Sequence, residues 1–179
     1  MIKKIIYNGY HFRSQVEART AMLFDSLGIN YVYENDCYQL RFKNKTINYL
    51  PDFYLPKLNR FCEVKNMGSE EPTLQECRKA KLLAEQNAFG APCTIMYGEI
   101  AHDQNLRHGS GRTYWPNGDI TCGDVLTECP ICRKIDFCKD GRLLHIGCGC
   151  EQRFPQEQNH QSDRILSTLK DLRMHRFWK

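Results

Sequence analysis

Apolar residues recur at helical spacing near the start of the chain. The stretch 14–27 places its apolar residues on one stripe, and Gly28 is positioned to end a helix there. Ser14 followed by Glu17 fits a capping box, in which the two residues bond each other's backbone N–H groups. The pattern therefore predicts an amphipathic helix over residues 14–27.

A shorter, alternating pattern follows and predicts β-strands. The predicted strands cover residues 30–33, 37–42, 46–55 and 60–65. Pro51 lies inside the third of them and favours an edge position or a bulge, because proline has no N–H to offer a sheet.

Helical spacing returns after Pro72, over residues 73–87, and Gly90 and Pro92 then interrupt it. Residues 93–97 are apolar and predict a buried strand. The order of helix, strands, helix and strand predicts an α/β fold, in which helices flank a mixed sheet.

Beyond residue 98 the pattern changes, and it divides the rest of the chain. We expect a core over 1–98, a linker or hairpin region over 99–127 and a cysteine module over 128–152. Residues 115–118 read as a hairpin turn. A terminal amphipathic helix is expected over 163–179, with an apolar stripe of Ile165, Leu166, Leu169 and Leu172. That stripe predicts docking onto the body of the protein or onto a second copy.

Composition adds few constraints on function. A chain of 179 residues that is 41% hydrophobic suits one compact domain with a small appendage. The net charge of +4 and the pI near 8.5 permit a nucleic-acid partner without requiring one. No apolar run reaches membrane-spanning length, and the first residues lack the apolar stretch of a signal peptide, so we expect a cytoplasmic protein.

Two acidic residues and a lysine stand on neighbouring predicted strands. Glu63 and Lys65 share one face of their strand, because strand side chains alternate with period two. A hairpin-like connection over 56–60 would bring Asp52 beside Glu63. Carboxylate oxygens suit Mg²⁺ or Mn²⁺, which activate water, and the lysine would orient that water or stabilise charge on a phosphate.

Three further residues have two interpretations each. Glu17 would complete the metal shell, or it would serve only as the partner of Ser14 in the capping box. Lys79 and Lys81, on the second predicted helix, would contact backbone phosphate or face solvent.

The arrangement resembles a known class of enzymes. A Pro-Asp pair at 51–52, ten intervening residues and a Glu-Val-Lys triplet at 63–65 resemble the PD-(D/E)XK signature of restriction-endonuclease-like nucleases. The segments 12–19 and 49–55 fit the same setting, and the resemblance covers roughly residues 7–98. The chain is similar to small nucleases often encoded by phages and mobile elements. The resemblance implies an αβββαβ core, hydrolysis with one or two metal ions, and a site of Glu17, Asp52, Glu63 and Lys65.

The resemblance thus implies an endonuclease that hydrolyses DNA, in the cytoplasm of a bacterium or a phage-infected cell. Mg²⁺ or Mn²⁺ would be bound by Asp52 and Glu63. Cutting both strands would favour a symmetric dimer. The alternative is an inactive nuclease-like zinc protein that binds nucleic acid or a protein partner, such as a phage factor acting on a host enzyme. Duplex, branched and single-stranded DNA, and RNA, stay open as substrates.

Six of the ten cysteines lie between residues 122 and 150, which points to a metal site. Four of them pair as C-x-x-C and C-x-C, a set that suits tetrahedral Zn²⁺: Cys129, Cys132, Cys148 and Cys150. The segment resembles a zinc ribbon, but ribbons usually close with a second C-x-x-C. Substitutes for the fourth ligand are therefore Cys138, His145 or Cys122.

The competing interpretation of these cysteines is a redox-active or simply buried thiol pair. A module this short has too small a core to fold unaided, so a bound metal would supply its folding free energy. The other four cysteines stand alone in the sequence, as buried small apolar residues do: Cys37, Cys62, Cys77 and Cys93.

Overall fold

A computed structural model describes residues 5–65, 71–97, 111–139, 146–150 and 162–174. Within these ranges lie three α-helices: α1 (Gln15–Leu27), α2 (Leu74–Gln86) and α3 (Asp163–Met174). A short 3-10 helix covers Pro56–Leu58. The strands are β1 (Ile5–Tyr7), β2 (Tyr10–Phe12), β3 (Val32–Tyr33), β4 (Tyr38–Phe42), β5 (Lys45–Tyr49), β6 (Phe53–Leu55), β7 (Arg60–Lys65), β8 (Cys93–Tyr97), β9 (Gly111–Tyr114), β10 (Ile120–Glu128) and β11 (Ile135–Lys139).

Seven of these strands form one mixed sheet, in the order β11-β10-β9-β8-β7-β6-β3. β7 and β8 run parallel and are connected through α2, whereas the other neighbours in the sheet are antiparallel. β1 pairs with β2 and β4 pairs with β5 in two separate hairpins. The predicted α/β class with a mixed sheet flanked by helices is confirmed.

The sheet buries apolar side chains on both faces. On one face, α1 and α3 pack against the sheet, with Phe24, Leu169 and Val64 in a single core. On the other face, α2 and the β4–β5 hairpin cover it, with Leu83 and Phe61 in a second core. β7 runs between the two cores, so its alternate residues serve opposite faces.

The first helix begins at its predicted capping residue, and the second begins at a cap that was not predicted. Ser14 Oγ accepts a hydrogen bond from the Glu17 N–H at 3.2 Å, and Gly28 ends α1 in the left-handed conformation. The Glu17 carboxylate accepts from the Arg13 N–H instead of the Ser14 N–H, so the reciprocal bond differs from the predicted box. α2 has a complete capping box between Thr73 and Glu76.

The strand predicted over residues 46–55 is two strands in different sheets. β5 ends at Tyr49 and pairs with β4, whereas β6 begins at Phe53 and pairs with β7. Pro51 lies between them, where the chain leaves the hairpin for the main sheet, because proline cannot donate to either ladder. Asp52 consequently precedes the first residue of β6.

The division drawn from the sequence at 99–127 does not match the sheet. β9 pairs with β8 and β10 pairs with β9, so residues 111–139 extend the core sheet rather than link it to a separate module. Gly111 opposes Asp124 at a bulge in β10, where a Cβ would clash with the Asp124 backbone oxygen. The predicted turn after Trp115 connects β9 to β10, with Gly118 at φ +89°. Residues 99–110, 140–145, 151 and 152 of these two predicted segments lie outside the described ranges.

The terminal helix docks onto the body of the protein, as predicted. Ile165, Leu169 and Leu172 are buried in the core that α1 shares, whereas Leu166 is only partly buried. Residues 175–179 of the predicted helix lie outside the described ranges. None of the helices in those ranges is long and apolar enough to cross a membrane.

Candidate carboxylate site and cysteine cluster

Asp52 and Glu63 lie side by side between β6 and β7. The antiparallel register pairs Phe53 with Cys62, so the residue before β6 meets the next residue of β7. The Asp52 N–H lies 3.4 Å from Glu63 Oε2. The two side chains are 2% and 7% exposed, respectively, so the pair is a buried site of like charge.

Each carboxylate of this pair has one oxygen on a buried donor and the other on a cationic side chain. Asp52 Oδ2 accepts from the Val64 N–H at 2.7 Å, and Asp52 Oδ1 accepts from Arg13 Nη2 at 2.9 Å. Glu63 Oε2 accepts from the Tyr49 hydroxyl at 2.8 Å, and Glu63 Oε1 lies 2.5 Å from Lys65 Nζ. The buried donors fix the orientation of both carboxylates, and the cations neutralise the two oxygens that point away from those donors.

Burial and like charge govern the protonation of the pair. Burial, followed by the Glu63 carboxylate, raises the pKa of Asp52 to about 7, while the Val64 N–H and Lys65 oppose this shift. Burial acts to lower the pKa of Lys65, but the Glu63 carboxylate beside it raises that pKa overall. The pKa of Tyr49 lies well above its ordinary value because the hydroxyl is buried near carboxylates, so Tyr49 acts as a hydrogen-bond donor.

Glu17 lies at the border of this site, with both oxygens occupied by other donors. Its Oε2 accepts from the Tyr33 hydroxyl at 2.5 Å and from the Arg13 N–H at 3.1 Å, and its Oε1 accepts from the Ser14 hydroxyl at 2.7 Å. Its charge contributes to the raised pKa of Asp52. The structure thus brings Asp52, Glu63 and Lys65 together. Glu17 lies next to them, and its carboxylate accepts hydrogen bonds from Arg13 and Ser14 at the start of α1.

The structure adds two contacts that the spacing of the sequence does not reveal. Arg13 bridges Asp52 and Glu34, whose Oε1 lies 2.6 Å from Arg13 Nε. Tyr49 reaches Glu63 from a different sheet. The only sequence signal for these contacts was that Arg13 and Tyr49 lie in the segments 12–19 and 49–55, which contain Glu17 and Asp52.

The two lysines singled out on α2 have different surroundings. Lys79 Nζ lies 5.8 Å from the centroid of the ring of Tyr49, the residue whose hydroxyl donates to Glu63. Lys81 Nζ lies 3.7 Å from Glu85 in an ion pair along the helix. The structure therefore places Lys79 near the carboxylate site and pairs Lys81 with an acid on its own helix.

The four cysteines predicted as metal ligands converge: Cys129, Cys132, Cys148 and Cys150. Their sulfur atoms lie within 4.8 Å of one another. A tetrahedral Zn²⁺ with bonds of about 2.3 Å would separate its sulfur ligands by roughly 3.8 Å, so the spread fits such an ion. Four thiols this close could hold a metal such as zinc.

Turn geometry brings the two cysteine pairs together. The Cys129 N–H donates to Lys134 O at 2.8 Å and the Arg133 N–H donates to Cys129 O at 2.9 Å, in the turn between β10 and β11. Gly149, between the second pair, has φ +79°, a conformation that favours glycine. Backbone N–H groups of Cys132 and Ile131 lower the pKa of Cys129 to about 7 against the opposing effect of burial. That turn therefore favours the thiolate, which is the form that binds metal.

Two of the alternative ligands, Cys138 and Cys122, are not part of this group. Cys138 is fully buried in the apolar cluster beside it, and Cys122 is exposed on β10. His145 lies outside the described ranges. Of the cysteines expected to be buried singly, Cys62 and Cys93 are buried, whereas Cys37 is exposed because it precedes β4 and takes no part in either core.

Among the described residues, the cysteine group is the one set of three or more potential ligand side chains that meets this 4.8 Å spacing. Asp52 and Glu63 form a pair, which leaves coordination positions for water and phosphate oxygens. In comparisons with known proteins, no family model, no curated protein and no solved structure matches this chain. Function is therefore inferred from the geometry of the two clusters.

Proposed function

We propose that the chain is a metal-dependent nuclease of the PD-(D/E)XK class that hydrolyses DNA phosphodiester bonds. The observation that supports this most is that the two oxygens of each carboxylate, Asp52 and Glu63, have different kinds of partner. Each carboxylate is oriented by a buried donor and directs its other oxygen to a cation, Arg13 or Lys65. A structural ion pair does not require two buried acids to be adjacent, because their mutual repulsion raises the cost of burying both.

Asp52 Oδ1 and Glu63 Oε1 would hold Mg²⁺ or Mn²⁺, since hard divalent ions prefer carboxylate oxygens. The bound ion would polarise the phosphodiester and lower the pKa of an attacking water. When the metal binds, Lys65 would move away from Glu63. The Lys65 ammonium would then orient that water or stabilise negative charge on the phosphate. It has a second acid within reach, since Glu76 Oε1 lies 3.9 Å from Lys65 Nζ.

The element order supports the same class. α1 precedes the strands that carry Asp52 and Glu63, and α2 then leads to β8, which lies parallel to β7. This order is compatible with an αβββαβ core. Glu17, on α1, would act on the site through the charge that it places near Asp52.

We also propose Zn²⁺ as the metal at the four cysteines. The thiol set and the spread of its sulfur atoms suit that ion. The site would close the loop after β10, and its exposed side would recognise substrate or a partner. Of its ligands, Cys132 is the exposed one.

A cleavage assay tests the nuclease. Linear, circular, branched and single-stranded DNA would be incubated with wild type, Asp52→Ala and Glu63→Ala, in Mg²⁺, in Mn²⁺ and in EDTA. The matched control is Glu85→Gln, which removes an acid on α2 whose ion pair among the described residues is with Lys81. We expect wild type and Glu85→Gln to cut in either metal, and both alanine variants to lose a factor on the order of 10² or more, because metal catalysis contributes several kcal/mol.

Two outcomes would contradict the proposal. Absence of cutting by folded, metal-loaded wild type would exclude the nuclease. DNA binding without cutting would favour the alternative of an inactive nuclease-like zinc protein that binds nucleic acid. Cutting that survives both alanine substitutions would place the activity at another site.

A further inference from the structure

We propose that Lys43, Lys45, Arg78 and Lys79 form a cationic track that binds the phosphate backbone of a nucleic-acid strand leading away from the carboxylate site. The first two lie on the β4–β5 hairpin and the last two on α2. The inference rests on the proposed function for the identity of the site at its end, and it names the surface that would hold the substrate outside that site.

Two of the four cations contact one aromatic ring, and a third is the cross-strand partner of that aromatic residue. The Arg78 guanidinium carbon lies 4.5 Å from the centroid of the Phe42 ring, and Lys43 Nζ lies 5.6 Å from it. Lys45 pairs directly with Phe42 across the hairpin. Residues paired in this way point to the same face, so Lys45 belongs to the same surface.

The fourth cation connects this surface to the acidic pair. Lys79 lies over the Tyr49 ring, and the Tyr49 hydroxyl donates to Glu63. One aromatic side chain therefore separates the end of the cationic track from a carboxylate of the site. A strand bound along α2 and the hairpin would continue to the position where a phosphodiester meets Asp52 and Glu63.

The cations of the track carry no neutralising partner among the described residues, since none of the four has an ion pair with a described acid. Neighbouring cations differ: Arg112 pairs with Glu71 at 3.0 Å, and Lys81 pairs with Glu85 at 3.7 Å. Aromatic rings orient a cation without cancelling its charge. The track therefore presents oriented, available charge.

A nucleic-acid backbone is the partner that best fits these properties. It repeats negative charge along a line, and proteins bind it by neutralising successive phosphates with Lys and Arg and releasing counterions. The connection of the track to the carboxylate pair favours a strand over an acidic protein, since the same chain would occupy both surfaces.

The test is the salt dependence of binding to a fluorescent DNA duplex without divalent ions, between about 50 and about 200 mM salt. The track variant carries Lys43→Gln, Arg78→Gln and Lys79→Gln. The control variant removes three exposed lysines elsewhere, by Lys57→Gln, Lys139→Gln and Lys170→Gln. We expect the slope of log affinity against log salt to fall in magnitude by about 3 in the track variant, about one for each lost contact. In the control variant, the magnitude of this slope is expected to fall much less.

Three results would overturn the track: equal losses in both triple variants, an unchanged slope in the track variant, or no binding by wild type at low salt. The single variant Lys79→Arg keeps the charge and is expected to keep the wild-type slope. Circular dichroism melts of each variant separate lost contacts from lost folding. Metal-dependent cutting with an unchanged slope in the track variant would support the nuclease and refute the track. A reduced slope in the track variant without any cutting by wild type would support the track and refute the nuclease.

Discussion

At the scale of single residues, Arg13 occupies the oxygen that the proposed metal would use. Its guanidinium contacts Asp52 Oδ1 and Glu34, while its side chain is 57% exposed. A half-exposed cation is easily displaced, because solvent screens its ion pairs. Arg13 would therefore neutralise Asp52 and compete with a metal ion for Asp52 Oδ1.

Replacing Arg13 by Gln should strengthen metal binding. Because the Arg13 side chain is more than half exposed, we take the contribution of a solvent-screened ion pair, about 0.2–1 kcal/mol, so its loss should tighten Mn²⁺ binding by about 1.5- to 5-fold at a pH well above 7. Isothermal titration calorimetry of the two proteins measures the change. Arg41→Gln is the control, since Arg41 is exposed and forms no ion pair with a described residue. Unchanged or weaker Mn²⁺ binding in Arg13→Gln would refute the competition.

Metal binding should also depend on pH through Asp52. The pKa of Asp52 is raised to about 7, above its ordinary 3.8, so the folded protein holds a proton there at pH 5 to 7. The metal must displace that proton, so affinity should fall as pH falls below about 7, by up to about tenfold per unit, and should level off above it. Mn²⁺ titrations across this range measure the slope. A constant affinity between pH 5 and 7 would show that Asp52 is ionised throughout or is not a ligand.

At the scale of elements, the described part of α3 is held to the sheet by an apolar stripe and by the ion pair of Arg164 with Glu128. Leu169 is 3% exposed in the core that α1 shares. Arg164 lies 3.2 Å from Glu128, a buried acid on β10, and also donates to Ser26 O on α1. The helix therefore joins α1 to β10, near one end of the strand order, on the face of the sheet that both helices cover.

Truncation of this stripe should destabilise the protein according to burial. Leu169→Ala should lower the free energy of unfolding by about 2–5 kcal/mol, because it leaves a cavity. Leu166→Ala, on the partly buried side of the same helix, should cost about 1 kcal/mol. Urea denaturation measures both. Equal costs would mean that α3 is not docked as described.

At the scale of the whole molecule, the sheet separates the two clusters. The carboxylates lie at β7, and the first cysteine pair begins just after β10, three strands away, which is a lateral offset of roughly 14 Å at about 4.8 Å per strand. The cysteine pair is also displaced along the strands, because the β10 residue level with Glu63 is Cys122, seven residues before Cys129. This spacing leaves room for a hard divalent ion and a thiolate-bound ion to act independently.

Loss of the thiolate metal should therefore weaken the β10–β11 end without removing the carboxylate site. We expect one zinc per wild-type chain by elemental analysis, much less in Cys132→Ser, and an unchanged content in Cys122→Ser, whose cysteine is exposed outside the cluster. Hydrogen exchange should rise near residues 129–139 in Cys132→Ser and stay low in β6–β8. Equal zinc content in both serine variants would disprove the assigned ligands.

Helix positions and cysteine spacing could be predicted because both depend on local sequence. The boundaries of α1 follow from Ser14 and Gly28, and C-x-x-C and C-x-C bring their own sulfur atoms together through tight turns. The period-two alternation of β7 also put Glu63 and Lys65 on one face, where their side chains meet.

Other features could not be predicted because they depend on contacts between distant parts of the chain. The 46–55 segment alternates like one strand, yet it divides because β5 and β6 find different partners. Residues 111–139 belong to the main sheet because β8 leaves an edge that β9 pairs with, and nothing local to either strand specifies that pairing.

The sequence alone therefore determined the positions of the first two helices, which acids and lysine share neighbouring strands, and the two cysteine pairs, although it left the fourth metal ligand open. Only the tertiary structure decided the partners of those groups. It set Arg13 against Asp52, Tyr49 against Glu63 and Tyr33 against Glu17. The physical reason is that a propensity or a period acts over a few residues, whereas each of these contacts joins side chains that only the packing of sheet, hairpin and helix brings together.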